Sequence, residues 1–430
     1  MKTFIEKREI IFTIREKRTR YEKLRKLKRG SSHESRQNSQ KMPSTSDVLE
    51  EMKKWCKVDK SKRFRETVIF NIPEVFSILD RPRDAFKFIY DSLSNLLKFK
   101  KIDNLCINHE KMVKFDLAAE ILFDYFISEI ENNSSQKHFV YGHYPQSELA
   151  KRFIRGIGII DELNINHEKL SSIEQKSIEI FKAENRKYQS SVNGVSKTYY
   201  DETIQRFSKH IDNCLQHINR NLTQNGRSRL CQYISEILDN IHEHAGMEKW
   251  RIAGYLDTKS KDLPCEVCIF NFGNTIAKTF ENLDYNNPIH NQIKLYTEKH
   301  KNYATQENLL TLYALQGNVS SKNIDANSSR GQGTIELLSF FQDLHIEIQD
   351  ESTNSRKMVI ISGSTCIILD YSCKMVKKNE RHIMPLNKQQ DLDFPPDKMH
   401  LKELKETFFP GTLISLRFNL PYTLTAEVSS

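Results

Sequence analysis

The 430-residue chain lacks any run of about eighteen uncharged apolar residues, so no membrane-spanning helix is predicted. A secretory signal is not predicted either, because Met1–Phe12 has too short an apolar core and too many acidic residues. The eight cysteines show no framework spacing, which argues against a disulfide-stapled scaffold. These absences predict a cytoplasmic protein.

Two of the cysteines, Cys265 and Cys268, have the C-x-x-C spacing. They fall within a predicted strand, and no second cysteine pair or histidine pair follows at a zinc-ligand spacing. We therefore expect the cysteines to be small buried hydrophobic residues. A metal or redox role for this pair is the alternative.

The net charge of +9 is concentrated at the N-terminus. Residues 1–30 contain twelve basic and four acidic residues, whereas the rest of the chain is nearly balanced with 53 basic and 52 acidic residues. A basic arm and polar linker are predicted over residues 1–47, with contact to nucleic acid or an anionic membrane through residues 1–30 as an alternative to a solvated arm.

Residues 48–195 alternate short apolar runs with amphipathic stretches. This alternation predicts a small α/β domain with an open sheet. The predicted elements are strands at 68–72, 105–107 and 139–141 and helices at 83–97, 117–130 and 147–154.

The stretch from Glu236 to His244 predicts a helix with one polar stripe. At 100° per residue, Glu236, Asn240 and His244 fall within about 80° of one another. The neighbouring arc is apolar and comprises Tyr233, Ile234, Ile237, Leu238 and Ile241. A polar row at the edge of a core can accept a ligand, and the alternative is the solvated margin of an ordinary amphipathic helix.

Further glycine-containing segments follow at the ends of predicted strands or at the start of a predicted helix. They are Asn271–Ile276 after the strand Glu266–Phe270, Ser328–Thr334 before the helix Ile335–Leu344, and Phe409–Thr412 before the strand Leu413–Leu420. Between the last two, Met358–Ser362 and Thr365–Leu369 predict a hairpin with a two-residue turn, and Lys374–Lys405 predicts a polar insertion at the rim.

In order and spacing these segments resemble the four boxes of the GHKL ATPase superfamily, which includes gyrase B subunits, MutL, large heat-shock chaperones and histidine kinases. The resemblance covers residues 196–425 and implies a Bergerat-type ATP-binding fold, an α/β two-layer sandwich of the α+β kind, after the small open-sheet domain. In that domain, Ile72–Phe76 and the stretch from Cys106 to Phe123 look like the STAS-type modules that accompany some members.

The resemblance also implies roles for the polar stripe. The residue at the position of Asn240 binds Mg²⁺, which suits an amide oxygen because Mg²⁺ is a hard cation. The residue at Glu236 is the general base in branches that hydrolyse ATP. His244 is expected near the phosphate or sugar end of the nucleotide.

In the second box, Asn271 replaces the family's aspartate, which accepts a hydrogen bond from the adenine amino group. An amide oxygen still accepts this bond but more weakly, so lower affinity or looser base selectivity is expected. Gly273 matches the first glycine of the box, and Thr275 replaces the second. In the last box, Thr412 is expected to add a hydroxyl near the base.

Residues 281–330 correspond to the ATP lid, with a predicted helix over Thr305–Leu315. Either Lys322 or Arg330 is a candidate for contact with the γ-phosphate, with a solvated loop cation as the alternative. The third box is better defined, because free amides at a helix N-terminus bind phosphate oxygens. Its residues are Gly331, Gln332, Gly333 and Thr334.

Three functions remain open at this point. The first is a nucleotide-dependent switch that slowly hydrolyses ATP, the second a serine or histidine kinase of the anti-sigma or two-component type, and the third a non-catalytic nucleotide-binding interaction protein. A protein partner is expected, and a long polar helix over Tyr199–Asn221 makes a homodimer conceivable. Autophosphorylation is not indicated, because no histidine has the H-E-x-x-x-P pattern. Solvated surface positions are predicted for His109, His167, His210 and His217.

Overall fold

The computed structural model describes residues 64–99, 101–133, 138–157, 178–184, 195–244, 250–281, 283, 287, 289–317, 319, 335, 337–342, 356–378 and 381–428. Within these ranges, the side chains of residues 101, 132–133, 195–200 and 239–244 are not described. The predicted basic arm and linker, residues 1–47, lie outside the described residues.

The N-terminal module is an open parallel sheet with helices between its strands, as the alternation of apolar and amphipathic runs predicted. The strand order is β1-β3-β5, and every neighbouring pair is parallel. A short parallel pair, β2 with β4, lies beside it. The elements are β1 (Phe64–Asn71), β2 (Val75–Phe76), α1 (Pro82–Lys98), β3 (Lys101–Asn108), β4 (Lys114–Phe115), α2 (Leu117–Asn133), β5 (Phe139–His143) and α3 (Glu148–Ile157).

The two long helices of the module have clear local causes. Helix α1 begins with Pro82 in its first turn, where a missing amide hydrogen costs nothing, and ends with Lys98 beside the negative end of the helix dipole. Helix α2 is capped by Asp116, whose Oδ1 accepts a hydrogen bond from the Ala119 amide at 2.8 Å. Most of the described α2 residues are buried, so α2 lies in the interior of the molecule.

A seven-stranded sheet forms the centre of the rest of the chain. Its order is β14-β11-β10-β15-β9-β8-β6, and all neighbours are antiparallel. The strands are β6 (Ile180–Glu184), β8 (Trp250–Leu256), β9 (Pro264–Phe272), β10 (Lys357–Gly363), β11 (Thr365–Leu369), β14 (Leu401–Glu403) and β15 (Phe409–Asn419).

The remaining elements are helices and short strand pairs. They comprise α4 (Val195–Gln216), β7 (Arg220–Leu222), α5 (Gln224–His244), α6 (Ile276–Glu281), α7 (His290–His300), α8 (Gln306–Ala314), β12 (Val376–Lys378), β13 (Arg381–Ile383), a 3₁₀ turn at Tyr422–Leu424 and β16 (Thr425–Glu427). Residues 335 and 337–342 are helical, in agreement with the predicted helix over Ile335–Leu344 as far as it is described. The predicted helix over Tyr199–Asn221 corresponds to α4.

Both faces of the large sheet are covered. Along β9, Val267 and Ile269 belong to a core shared with α4 and α5, whereas Cys268 and Phe270 belong to a core shared with the N-terminal module. Side chains alternate between the faces of a strand, so one face packs on helices and the other on the module. The predicted two-layer sandwich therefore omitted a third layer, although the mixed α/β class is correct.

A buried ionic contact joins the module to the sheet. The Glu266 carboxylate accepts hydrogen bonds from Arg417 Nε at 2.6 Å and from the Leu117 amide at 2.7 Å. Arg417 also donates to the Phe115 carbonyl oxygen at 3.1 Å. Because Leu117 opens α2, the carboxylate lies at the positive end of that helix dipole, where it is stabilised.

Two boundaries differ from the prediction. The small α/β domain was predicted to end at residue 195. Strand β6 lies before that residue but pairs with β8, so the large sheet begins earlier in the chain than predicted. The segment 374–405, predicted as a polar rim insertion, ends in β14, which pairs with β11 and buries Leu401. In the part of the chain that the structure describes, no helix is both long enough and apolar enough to cross a membrane.

Candidate functional site

Three polar side chains lie side by side at one end of the large sheet. Thr412 of β15 pairs with Asn271 of β9 on one side and with Ser362 of β10 on the other. Residues in register project to the same face, which here is the helix-covered face also occupied by Ile269 and Ile360. We call Asn271, Thr412 and Ser362 the polar row.

The Ser362 hydroxyl organises this row. Its Oγ donates to the Gly411 carbonyl oxygen at 2.9 Å and accepts from the Ile276 amide at 2.8 Å. Its one proton is thereby used, so the Thr412 hydroxyl, 3.2 Å away, donates to Ser362. Thr412 consequently keeps acceptor lone pairs for another group. Sequence analysis missed Ser362, although its place beside the predicted hairpin turn was a usable signal.

Asn271 carries a buried acceptor that has no partner among the described residues. Its side chain is 2 % exposed, and its Nδ2 donates to the Phe272 carbonyl oxygen at 3.5 Å. Among the described residues, the Oδ1 atom has no hydrogen-bond partner. A buried acceptor that receives no hydrogen bond destabilises the fold by roughly 1–3 kcal/mol, so this amide oxygen indicates a site for a hydrogen-bond donor.

Glycines flank the polar row where the backbone must come close. Gly273 has φ 127° and donates its amide to the Pro410 carbonyl oxygen at 3.1 Å. Gly411 has φ 148°, and a Cβ there would lie 2.0 Å from the Asn271 carbonyl oxygen. Both positions need the conformational range of glycine.

Thr275, at the position of the family's second glycine, has a structural role. Its Oγ1 accepts a hydrogen bond from the Lys278 amide at 3.2 Å, and α6 starts at the next residue. A threonine at this position caps a helix, which a glycine does less well.

Helix α5 covers the face on which the polar row lies. The chain runs from His244, the last residue of the helix, to Trp250, which pairs with Asn271. Six residues can span at most roughly 20 Å, so the backbone at the C-terminal end of α5 lies within that distance of Trp250. The predicted apolar side of the helix is confirmed for four residues, which are buried in the core shared with the sheet: Tyr233, Ile234, Ile237 and Leu238.

The predicted polar stripe is only partly described. Glu236 is a half-buried residue of α5. Asn240 and His244 belong to the last turns of the same helix, but their side chains lie outside the described part of the structure. Contact of Asn240 with a metal or phosphate therefore stays a prediction.

The predicted phosphate-binding segment also lies outside the described residues. This applies to Lys322 and Arg330 of the predicted lid and to the third box, Gly331, Gln332, Gly333 and Thr334.

The described part of the predicted lid is anchored to the sheet. The predicted helix over Thr305–Leu315 is confirmed as α8, with Thr305 as its N-cap. Beside that cap, Glu307 accepts a hydrogen bond from the Ser364 amide at 3.2 Å, and Asn308 Oδ1 accepts one from Thr365 Oγ1 at 2.9 Å. Helix α7, which was not predicted, packs against α8 in a separate apolar core. These contacts fix α8 to the sheet.

The histidine predictions need correction at two positions. His109 is 3 % exposed, with Nε2 3.4 Å from a Glu120 carboxylate oxygen, so it is a buried histidine. His210 is half-buried, and burial lowers its pKa to about 4. His217 is exposed as predicted, and His167 lies outside the described residues.

The C-x-x-C pair behaves as predicted for small buried residues. Cys265 and Cys268 are both buried and reduced, and they belong to the cores on opposite faces of β9. Burial raises the pKa of both thiols. This geometry gives no shared ligand site for the pair.

Comparison with protein-family models, with curated proteins and with solved structures finds no match to this chain.

Proposed function

We propose that this chain binds an adenine nucleotide with Mg²⁺ between the large sheet and helix α5, and that it acts as a nucleotide-dependent switch with slow ATP hydrolysis. The observation that supports this best is the buried Asn271 Oδ1 without a partner among the described residues. A polar atom held in that state needs a donor that the described protein does not supply.

The polar row fits the amino edge of adenine. The exocyclic amino group offers two N–H donors, and Asn271 Oδ1 and the free lone pairs of Thr412 offer acceptors in adjacent strands. The glycines at 273 and 411 keep side chains out of the close approach between backbone segments. Apolar faces of the base suit the core that surrounds the row, since ligand pockets combine apolar walls with a few polar anchors.

The triphosphate end rests on the resemblance. Mg²⁺, when bound, would neutralise charge on the phosphates, and the amide oxygen of Asn240 is a suitable hard ligand. Glu236, one helical turn earlier, would orient water and accept its proton. Glu236 is half-buried, which is compatible with such a role.

The proposal of a switch is supported by contacts between the N-terminal module and residues next to the polar row. Phe272, the residue after Asn271, stacks on Tyr125 of α2 with ring centroids 5.3 Å apart. A Tyr90 hydroxyl of α1 donates to the Phe408 carbonyl oxygen at 2.9 Å, three residues before Gly411. Ligand contact at the polar row is therefore adjacent to contacts with the N-terminal module, so a ligand that favours one arrangement of these contacts would shift their equilibrium.

Calorimetric titration of the purified chain with ATP, ADP and GTP, each with and without Mg²⁺, tests the proposal. We expect Mg²⁺-dependent ATP binding that Asn271→Ala weakens at least about tenfold, since a buried hydrogen bond is worth about 1–2 kcal/mol. The matched control is Asn387→Ala, which removes a half-buried amide outside the predicted site, whose Nδ2 donates to the Asp391 and Phe394 carbonyl oxygens.

Incubation of the purified chain with labelled ATP distinguishes the ATP-hydrolysing switch from the kinase and the non-catalytic alternatives. Release of free phosphate supports the switch with hydrolysis, and transfer of label to protein supports the kinase alternative. Binding without either reaction supports the non-catalytic alternative. Absence of nucleotide binding by the folded chain would overturn the proposal.

A further inference from the structure

A cluster of metal-ligand side chains lies at the outer edge of the large sheet, away from the polar row. Glu179 immediately precedes β6, and His210 and Cys214 lie on α4. The strand register places Ile180 beside Tyr255 and Tyr255 beside Glu266, five residues before Asn271 along β9. We infer that Glu179, His210 and Cys214 form a zinc site that fastens the start of β6 to helix α4.

The sulfur and nitrogen donors have the spacing that a zinc site requires. His210 and Cys214 are four residues apart, so they lie on the same side of α4, and Cys214 Sγ is 3.7 Å from His210 Nε2. In a tetrahedral site with Zn–S about 2.3 Å and Zn–N about 2.0–2.1 Å, these two atoms lie about 3.6 Å apart. A Glu179 carboxylate oxygen lies within 4.8 Å of Cys214 Sγ and of a His210 ring nitrogen, so a small side-chain adjustment brings it into range.

A supporting contact orients the imidazole. The His210 ring hydrogen-bonds to the Glu179 backbone. Metal-binding histidines commonly use one ring nitrogen for a backbone carbonyl and the other for the metal, which fixes the ring orientation. Glu179 would thus hold the site through its backbone as well as its carboxylate.

The second cluster of this kind among the described residues is less suitable. It comprises Asp370, Cys373 and His400. His400 Nδ1 lies 2.9 Å from the Ile368 carbonyl oxygen, and Cys373 Sγ is nearer to this engaged nitrogen, at 3.4 Å, than to Nε2, at 3.9 Å. The Arg356 guanidinium also interacts electrostatically with Asp370 and Cys373, and this positive charge opposes a cation.

The ligand types select zinc. One sulfur, one imidazole nitrogen and one carboxylate oxygen match the preferences of Zn²⁺, whereas Mg²⁺ and Ca²⁺ prefer oxygen ligands throughout. Glu179 is exposed, so water can occupy the fourth position. On binding, the Cys214 thiol loses its proton to solvent and the thiolate coordinates the metal. This site is independent of nucleotide binding at the polar row.

Titration of the chelator-treated full chain with Co²⁺ tests the inference, because a cobalt–thiolate bond gives an intense charge-transfer absorption. We expect one equivalent of Co²⁺ to produce this band and Zn²⁺ to displace it. Cys214→Ser should abolish the band, and Glu179→Gln, at an exposed position with little risk to folding, should weaken metal affinity at least about tenfold.

Cys373→Ser is the matched control and should leave the band unchanged. Zinc should also raise the thermal midpoint of the wild type but not that of Cys214→Ser. Two results would overturn the inference: no charge-transfer band with excess Co²⁺, or a band that survives Cys214→Ser.

Discussion

Gly411 packs so closely against Asn271 that a Cβ at position 411 would lie 2.0 Å from the Asn271 carbonyl oxygen. Gly411→Ala must therefore move β15 away from β9, and its φ of 148° adds backbone strain. We expect a loss of about 2 kcal/mol or more in the free energy of unfolding, measured by urea denaturation. Lys402→Ala, at an exposed position of β14 in the same sheet, is the control, and a wild-type midpoint for Gly411→Ala would contradict this packing.

Asn271→Asp places a charged acceptor where the proposed adenine amino group would bind. A charged acceptor forms a stronger hydrogen bond to an amino group, so ATP affinity should rise about tenfold while GTP affinity does not. Calorimetry of both nucleotides measures this selectivity. Asn387→Asp, at an amide outside the predicted site whose Nδ2 already donates to the Asp391 carbonyl oxygen, should give no gain. Equal gains for ATP and GTP would show that Asn271 does not contact the adenine amino group.

Glu236→Gln keeps the size of the side chain but removes its basicity. If Glu236 accepts the proton from water, the variant should bind ATP with unchanged affinity and lose phosphate release by a factor of about 10² or more. Glu403→Gln, at an exposed position of β14 outside the predicted site, is the matched control. Full activity in Glu236→Gln would exclude this residue as the base.

Arg417→Met tests the ionic contact between module and sheet. The Glu266 side chain is 3 % exposed and bonded to Arg417 Nε at 2.6 Å, so the variant leaves a buried carboxylate without its cation. Removal of one partner of a buried pair should cost about 3 kcal/mol in urea unfolding. The exposed pair of Lys301 with Glu298 provides the control, because Lys301→Met should change stability by less than about 0.5 kcal/mol.

Asp116 predicts a pH dependence of stability. Burial, together with the nearby Glu266 charge, raises its pKa from 3.8 to about 6. Between these values the folded state binds more protons than the unfolded state, so the contribution of Asp116 to stability is present below pH 3.8 and is lost as pH rises through about 6.

The variant Asp116→Asn isolates this contribution. The stability difference between wild type and variant should be larger near pH 4 than near pH 7, by up to about 3 kcal/mol, measured by urea unfolding at both pH values. A difference that is constant with pH would show that Asp116 keeps its ordinary pKa.

The pattern of apolar and polar residues within short segments predicted most of the described elements, because it reflects which side chains each element buries. The apolar runs around Val68, Leu105 and Val140 and the helices between them appear with small shifts in their ends. The two-residue hairpin at Gly363 was predictable because its flanking runs are rich in β-branched residues and its turn needs the positive φ of 62°.

Contacts between distant segments were not predictable in the same way. The third layer arises because α2 of the N-terminal module packs on the large sheet. A single sequence does not show that these two surfaces contact each other. The fully apolar runs in β10 and β11 did carry a signal, since strands buried on both faces have no polar alternation. The hydrogen bonds of Ser362 depend on the pairing of β10 with β15. The alternation of side chains along one strand does not show which residues of two strands pair.

A crystal structure of the chain with Mg²⁺ and a non-hydrolysable ATP analogue tests the central claim most directly. The account predicts the adenine amino group within hydrogen-bond distance of Asn271 Oδ1, beside Thr412, on the helix-covered face of the sheet. An analogue bound elsewhere on the molecule, with Asn271 Oδ1 paired to another protein group, would contradict it.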